Sequence, residues 1–169
     1  HTLTIIAIMA AVFGIILFVI LHMLADSRKI QKLMYKDTKM DVWNLNYFTY
    51  WGETKLLPEK RNKYAVVYLN LSKFRRYNII YGWGAGERIL DVFVQTLVPL
   101  VNPETEICAR NQGDRFVLLL NYKEEDEFYE RLKNIRVTVE SKLRAMSGDD
   151  LTLQLGVYLI PAREIDIRR

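Results

Sequence analysis

Residues 106–122 read EICARNQGDRFVLLLNY, and this stretch decides the fold. Two runs of strand-forming residues, 106–111 and 116–122, flank the polar segment Gln112-Gly113-Asp114-Arg115. A short polar segment containing glycine between two such runs is typical of a β-hairpin. We therefore predict two adjacent antiparallel strands with the polar segment as their turn.

Strands and helices are also predicted on both sides of the hairpin. Residues 64–71 (YAVVYLNL) are a near-continuous run of β-forming residues, typical of a buried strand, and residues 151–160 (LTLQLGVYLI) form a last strand that ends at Pro161. Helices are predicted over residues 26–40, 41–56, 87–101 and 124–146, and a helix or turn over residues 72–86. The order α-α-β-α-α-β-β-α-β predicts an α+β fold in which helices cover a mostly antiparallel central sheet.

The composition excludes several classes of protein. With 169 residues, 50% of them apolar and 26% charged, the chain fits one globular domain plus a short additional element and is not disordered. Its one cysteine, Cys108, cannot form an internal disulfide or a cysteine-type zinc site, and we expect it in the core. His1 and His22, the two histidines, lie near the N-terminus, which disfavours histidine-dependent catalysis elsewhere. The net charge of +4, with both signs interleaved, predicts a solvated surface and no nucleic-acid partner.

Residues 1–24 contain no Asp, Glu, Lys or Arg. The apolar run over 3–24 is close to the about 20 residues that cross a hydrocarbon core as a helix. A secretory signal peptide usually begins with a basic segment and has a shorter apolar core, so we favour a transmembrane helix over 3–24. The basic residues that follow it are typical of a cytoplasmic flank: Arg28, Lys29, Lys32 and Lys36. We therefore predict a protein of the cell membrane, single-pass in this sequence, with residues 25–169 in the cytoplasm, and the initial His1 indicates a preceding part.

Residues 25–40 are predicted to form a helical stalk between the membrane and the domain. Ile30, Leu33 and Met34 recur at helical spacing and form an apolar stripe. Such a stripe is able to pair with the stalk of a second copy, so a homodimer is a candidate assembly. The stalk is too short to establish a coiled coil.

Three blocks of the sequence resemble the GGDEF domain, the diguanylate cyclase fold related to nucleotidyl cyclases and polymerase palms. The blocks are Asp37-x6-Asn44-x3-Phe48, Phe74-Arg75-x2-Asn78-x2-Tyr81-Gly82-x3-Gly86-Glu87 and Ala109-Arg110-x-Gln112-Gly113-Asp114-Arg115-Phe116. They occur in the family's order and spacing, and the resemblance covers about residues 35–167. It implies a palm-like α+β domain over residues 41–169, whose last helix, with a phosphate-contacting Lys and Arg, would follow Arg169.

The resemblance implies phosphoryl transfer. Two domains of this family each bind a GTP, face each other and join the nucleotides into cyclic di-GMP, with magnesium held by carboxylates from the first strand and the hairpin turn. Here the first-strand carboxylate aligns with Asn70, the first signature glycine with Gln112 and the signature glutamate with Arg115. An uncharged amide, a bulky side chain and a reversed charge make the site degenerate, so no catalytic residue is expected in the signature Gln112, Gly113, Asp114, Arg115 and Phe116. Asn70 and Asp114 are left as a weak candidate site for magnesium.

The resemblance also implies a candidate nucleotide-binding site. Asn78 and Glu87 match positions that contact guanine in the family, and Phe74 and Arg75 belong to the same block, so GTP is a candidate ligand. Two plainer interpretations stay open, Asn78 as a helix-end residue and Glu87 as a first-turn acid of a helix. The family's product-inhibition motif R-x-x-D is replaced by residues 103–106 (PETE), so cyclic di-GMP is not expected to bind there.

Together these patterns favour a membrane-anchored protein of cyclic-di-GMP signalling whose degenerate GGDEF domain is a non-catalytic regulatory and dimerisation module. Its expected output is a following phosphodiesterase domain of the EAL type, or another domain, controlled through the stalk or through GTP binding. Two other functions stay open. One is a weakly active diguanylate cyclase that makes cyclic di-GMP from two GTP, and the other is a purely structural membrane scaffold.

Overall fold

The chain divides into two compact units, His1–Tyr35 and Lys36–Arg169. The structure, a computed structural model, describes residues 2–56, 63–148 and 151–161. Residues 57–62 and the last residues of the predicted domain, 162–169, lie outside the described residues.

The first unit is one helix, α1 (Thr2–Tyr35). Within α1, the stretch Met9–Ser27 is long and apolar enough to cross a membrane, and none of it is buried against protein. By length and composition, this finding agrees with the apolar helix predicted over residues 3–24.

The predicted stalk helix over 25–40 is too long. α1 ends at Tyr35, and residues 36–42 form a bend that belongs to the second unit. In this bend the Asp37 carboxylate accepts hydrogen bonds from the backbone N–H groups of Lys39, at 2.9 Å, and Met40, at 3.0 Å. An aspartate that binds the backbone two and three residues ahead stabilises a turn in competition with helix, which explains why α1 stops here.

The second unit is built on a five-stranded mixed sheet in the order β1-β3-β4-β2-β5. The strands are β1 (Trp43–Asn44), β2 (Tyr64–Ser72), β3 (Ile107–Gln112), β4 (Arg115–Asn121) and β5 (Thr152–Leu159). β1 pairs with β3 in parallel, and the other pairings are antiparallel. The predicted mostly antiparallel α+β sheet is therefore confirmed, and β1 is an addition to it.

Helices follow or connect these strands in the described part of the unit. They are α2 (Leu45–Lys55), α3 (Phe74–Tyr81), α4 (Trp83–Leu97) with a short 3-10 helix (Val98–Leu100) after it, and α5 (Glu125–Ser147). The helix predicted over 41–56 is shorter, because Asn44 caps α2 by accepting a hydrogen bond from the Tyr47 N–H at 3.1 Å. The helix predicted from residue 87 starts at Trp83, directly after Gly82, whose φ of 83° separates α3 from α4.

The core lies on both faces of the sheet because alternate strand residues point to opposite faces. On one face α4 and α5 bury the larger cluster, which includes Leu69, Phe93, Phe116, Phe128 and Leu143. On the other face α2 covers a smaller cluster formed by Trp51, Leu56, Ile107 and Leu119. Cys108 is buried, as predicted, and burial raises the pKa of its thiol to about 12. Helix packing on both faces leaves the β3–β4 turn and the end of β2 accessible at one end of the sheet.

Candidate functional site

The β3–β4 turn is tighter than the sequence predicts. Gln112 and Arg115 are still paired in the ladder, so the turn consists of Gly113 and Asp114 alone. Gly113 has a φ of +60°, a left-handed conformation at the first central position that glycine adopts at little cost, as in type II′ hairpins. Just before the turn the ladder shifts register at Asn111, whose Nδ2 donates a hydrogen bond to the Tyr68 hydroxyl at 2.7 Å.

Asn70, at the end of β2, lies between two polar neighbours. Its register partners are Arg115 on β4 and Gln154 on β5. Directly opposed residues of an antiparallel pair project to the same face, with Cβ atoms about 5 Å apart. Asn70 Nδ2 donates a hydrogen bond to Gln154 Oε1 at 3.2 Å. The end of β2 therefore gathers two amides and a guanidinium. Gln154 was missing from the candidate residues, because its pairing with Asn70 depends on the β5 register.

The predicted magnesium residues, Asn70 and Asp114, do not form a strong cation site. Asp114 is half-buried in the turn, next to the exposed Arg115. Among the described residues there is no group of three or more His, Cys, Asp and Glu side chains placed to hold a metal. Magnesium prefers anionic oxygen ligands, whereas here one carboxylate is accompanied by an amide and a guanidinium. These residues fit a catalytic magnesium poorly.

Asn78 is buried at the junction of α3 and α4. Its side chain is packed against Gly86, where an added Cβ would lie 1.8 Å from Asn78 Oδ1 and 2.8 Å from its Cγ. Position 86 therefore requires glycine, because any larger residue would overlap the Asn78 side chain. Within the described part of the chain, Asn78 Oδ1 is buried and has no hydrogen-bond partner. Such an orphaned acceptor is costly unless a ligand or water supplies a donor.

The other predicted nucleotide residues differ in their surroundings. Glu87 follows Gly86 on α4 and forms an exposed ion pair with Lys39, with Nζ and Oε1 separated by 3.1 Å. Arg75 is exposed on α3, whereas Phe74 is buried in the larger core cluster. The structure thus brings Asn78 and Glu87 to one junction, with Arg75 on the outer face of α3 and Phe74 inside.

A partly buried ion pair connects the 36–42 bend to the β3–β4 turn. Arg110 Nη1 donates to Asp37 Oδ1 at 2.9 Å, and Arg110 Nε donates to the Gly113 carbonyl oxygen, also at 2.9 Å. Both residues belong to the family blocks, but their sequence positions predict no role for them, because their pairing spans distant parts of the chain. The two hydrogen bonds of Arg110 therefore link the 36–42 bend, where the chain enters the domain, to the β3–β4 turn.

The segment 103–106 contributes a buried carboxylate, that of Glu106. Glu106 accepts hydrogen bonds from the backbone N–H groups of Asn102, at 2.9 Å, and Asn121, at 3.0 Å. It also forms two bonds with the Arg131 guanidinium, at 2.6 and 2.7 Å. Hydrogen bonding to Glu106 raises the pKa of Arg131. Glu106 is therefore fully engaged in holding α5 to the sheet.

A mixed five-stranded sheet with helices on both faces, and a polar hairpin turn beside the end of a central strand, defines the palm-like α+β class of domain. Residues 34–168 match the family described as "Diguanylate cyclase, GGDEF domain". The chain belongs to the GGDEF diguanylate cyclase domain family.

Known proteins with the same fold include both cyclases and multidomain proteins. Diguanylate cyclase DosC of Escherichia coli K12 is 30% identical over 94 residues, which are 55% of this chain and 20% of DosC. The coiled coil and GGDEF domain of DgcB from Caulobacter crescentus, solved with c-di-GMP, has a TM-score of 0.73 at 14% identity, covering 88% of this chain and 81% of that one. The S helix-GGDEF-EAL structure of Vibrio cholerae LapD has a TM-score of 0.60 at 15% identity, covering 80% of this chain and 31% of that one. The chain spans about a fifth of DosC, and the two structures share the fold alone.

Proposed function

We propose that this chain is a membrane-anchored protein of cyclic-di-GMP signalling whose GGDEF domain regulates rather than catalyses. The pairing of Asn70 with Arg115 carries the proposal. Diguanylate synthesis needs anionic oxygens that hold magnesium against a triphosphate. An amide bonded to Gln154 and a guanidinium occupy this place here, so Asp114 is the one carboxylate left of the predicted pair and has a positive charge beside it.

GTP is the proposed regulatory ligand, and the surroundings of Asn78 and Glu87 support this assignment. Guanine presents N1–H and N2–H donors beside the O6 acceptor. The exposed Glu87 carboxylate can accept from the donors, and the Asn78 amide offers both a donor and an acceptor, the latter without a partner among the described residues. The Glu87–Lys39 ion pair lies in water, where such pairs contribute little, so it opposes binding weakly.

The connection from Asp37 through Arg110 to Gly113 supports the regulatory role. A shift of the 36–42 bend is passed to the β3–β4 turn through two hydrogen bonds of one buried guanidinium. Ion pairs and hydrogen bonds that join two packed segments are among the contacts through which coupling between sites can be carried. We propose that signals from the membrane side reach the domain by this route.

Anchoring by α1 is proposed from its apolar stretch Met9–Ser27 and from the basic residues that follow, which favour a cytoplasmic domain. The proposed outputs are a homodimer or a following EAL-type domain. LapD, which shares the fold, combines an S helix, a GGDEF domain and an EAL domain in one chain.

Turnover of GTP tests the loss of catalysis. We expect no cyclic di-GMP from the chain with GTP and magnesium, and a gain in the double variant Asn70→Asp with Arg115→Glu. The matched control is Asn134→Asp with Lys142→Glu, which makes the same charge change at exposed positions of α5. Synthesis by the unmodified chain would overturn the proposal and favour a weakly active cyclase.

Thermal unfolding with and without GTP tests the proposed ligand. A ligand at a hundred times its Kd stabilises the folded state by about 2.7 kcal/mol, which raises Tm by several degrees. The increase should be lost in Asn78→Ala and in Glu87→Ala, each compared with its own ligand-free Tm, and kept in Glu130→Ala, an exposed position on α5. If millimolar GTP leaves Tm unchanged, the domain is a structural or dimerisation module.

A further inference from the structure

The corner between α3 and α4 exposes an unusual set of large apolar side chains. Trp83 is 79% exposed and Ile79 76%, and Ile80 and Tyr81 are each more than half exposed. These four residues are named the α3–α4 corner. The opposite face of α3 is packed inside the domain through Phe74, Tyr77 and Asn78. Exposed apolar groups that cluster in this way mark a surface that contacts another phase or molecule.

The corner is flanked by exposed arginines. Arg75 and Arg76 lie one turn before Ile79 and Ile80 on the outer face of α3, since residues four apart are neighbours on a helix. Arg88 follows Trp83 on α4. Aromatic and aliphatic residues beside arginines are typical of surfaces that lie among lipid headgroups, where the rings enter the interface and the cations meet anionic phosphates.

The acidic residues near the corner do not cancel this pattern. Glu87 and Asp91 are the exposed acids on the same helix, α4. Glu87 is paired with Lys39 at 3.1 Å, so its charge is offset locally. Arg75 and Arg76 both precede the apolar residues on α3, where no acidic residue occurs.

The corner also lies where the chain enters the domain. The Lys39–Glu87 contact joins the 36–42 bend to α4 about one turn after Trp83, the residue with which this helix begins. The candidate membrane span ends at Ser27 and α1 ends at Tyr35, eight residues later. At 1.5 Å per residue, the helix between the candidate span and the start of the domain is about 12 Å long.

We infer that the α3–α4 corner docks on the anionic lipid surface of the membrane that α1 crosses, an inference that rests on the proposed membrane anchor. Arg75 and Arg76 bind lipid phosphates, and Trp83, Ile79 and Ile80 insert at the headgroup level. A second copy of the chain is a weaker candidate for this surface. In a two-fold contact the same patch meets itself, and the flanking arginines would then repel each other.

Quenching of tryptophan fluorescence by brominated lipid tests the docking. The 169-residue chain is reconstituted in vesicles of three parts brominated phosphatidylcholine and one part phosphatidylglycerol. α1 contains no tryptophan, and the Trp83→Phe variant removes one of the three in the chain, so the difference between the two samples reports Trp83. We expect at least a two-fold loss of this difference signal in brominated lipid, with the signal from Trp43 and Trp51 unchanged.

Two comparisons make the test decisive. Arg75→Glu with Arg76→Glu keeps the apolar residues and places acids at the start of α3, where they are tolerated, and it should abolish most of the quenching. The matched control Lys133→Glu with Lys142→Glu, which places the same charge change on α5, should leave the quenching unchanged. If the chain resists alkaline extraction but Trp83 is not quenched, the proposed docking is wrong and the proposed membrane anchor stands. If alkali extracts the chain from the vesicles, the proposed anchor itself is wrong. Emission from Trp83 that depends on the protein-to-lipid ratio and not on bromine would place a second copy on the corner and would also overturn the inference.

Discussion

Asp37 and Arg110 form an ion pair at 2.9 Å between residues 73 positions apart, with side chains 17% and 8% exposed. The same Arg110 holds the Gly113 carbonyl, and the same Asp37 oxygen accepts two backbone N–H groups of the bend. Asp37 and Arg110 together therefore hold the bend after α1 against the β3–β4 turn. Arg115, the register partner of Asn70, directly follows this turn.

Loss of this pair should destabilise the domain strongly. Asp37→Ala leaves a buried guanidinium without its anion, and we expect a loss of about 3 kcal/mol in the free energy of unfolding. Urea unfolding in detergent micelles, followed by tryptophan emission, measures the effect because all three tryptophans lie in the second unit. The control Asp41→Ala removes an acid that is 95% exposed and should cost less than about 1 kcal/mol. Equal costs at the two positions would contradict the structure.

Gly86→Ala should be destabilising for a different reason, since its Cβ would overlap Asn78 Oδ1. Overpacking of this kind costs about 1–3 kcal/mol. Gly84→Ala on the same helix meets only Arg88 Nη1, at 3.8 Å, and should be neutral or stabilising. Combining Gly86→Ala with Asn78→Ala should recover most of the loss, because the clashing amide is gone. A double variant as unstable as the sum of the two single variants would exclude this contact.

The buried thiol of Cys108 should make stability depend on pH in the alkaline range. Burial raises its pKa from an ordinary value near 9.0 to about 12, so the unfolded chain releases this proton first. The contribution of the protonated thiol to the free energy of unfolding is complete below the pKa of Cys108 in the unfolded chain. It is lost as pH rises toward 12, by up to about 1.4 kcal/mol per pH unit. Stability measured between pH 8 and 10.5 should fall more steeply for the chain than for Cys108→Ala. Parallel curves would show that the thiol titrates normally in the folded state.

Glu106→Gln should weaken the attachment of α5 to the sheet. The amide group cannot accept at both positions, so at least one of the donors from Asn102, Asn121 and Arg131 loses its partner. We expect a loss of about 3 kcal/mol in the free energy of unfolding, measured in urea. Glu130→Gln, which breaks an ion pair 67% exposed on both sides, should change it by less than about 0.5 kcal/mol. Should both variants be equally stable, the Glu106–Arg131 contact contributes little.

Local patterns were sufficient for most of the fold. The apolar run at 64–71 and the hairpin at 106–122 were predicted to within about two residues, because alternation and glycine turns act on neighbours in sequence. β1 escaped prediction since two residues carry no periodicity, and its strand character comes from pairing with Ala109 and Arg110. The early start of α4 was missed because Gly84 and Gly86 weaken the helical signal, although Gly86 is needed against Asn78.

The sequence by itself determined the classes of element, the apolar stretch of α1 and the residues of the candidate site, through local preferences and the family blocks. The tertiary structure decided which of those residues meet. Asn70 faces Arg115 and Gln154 because the register of two strand pairings aligns them, and Asp37 reaches Arg110 because the bend folds back on the sheet. Such contacts join distant parts of the chain, and their energies depend on burial and exact geometry, which no local pattern encodes.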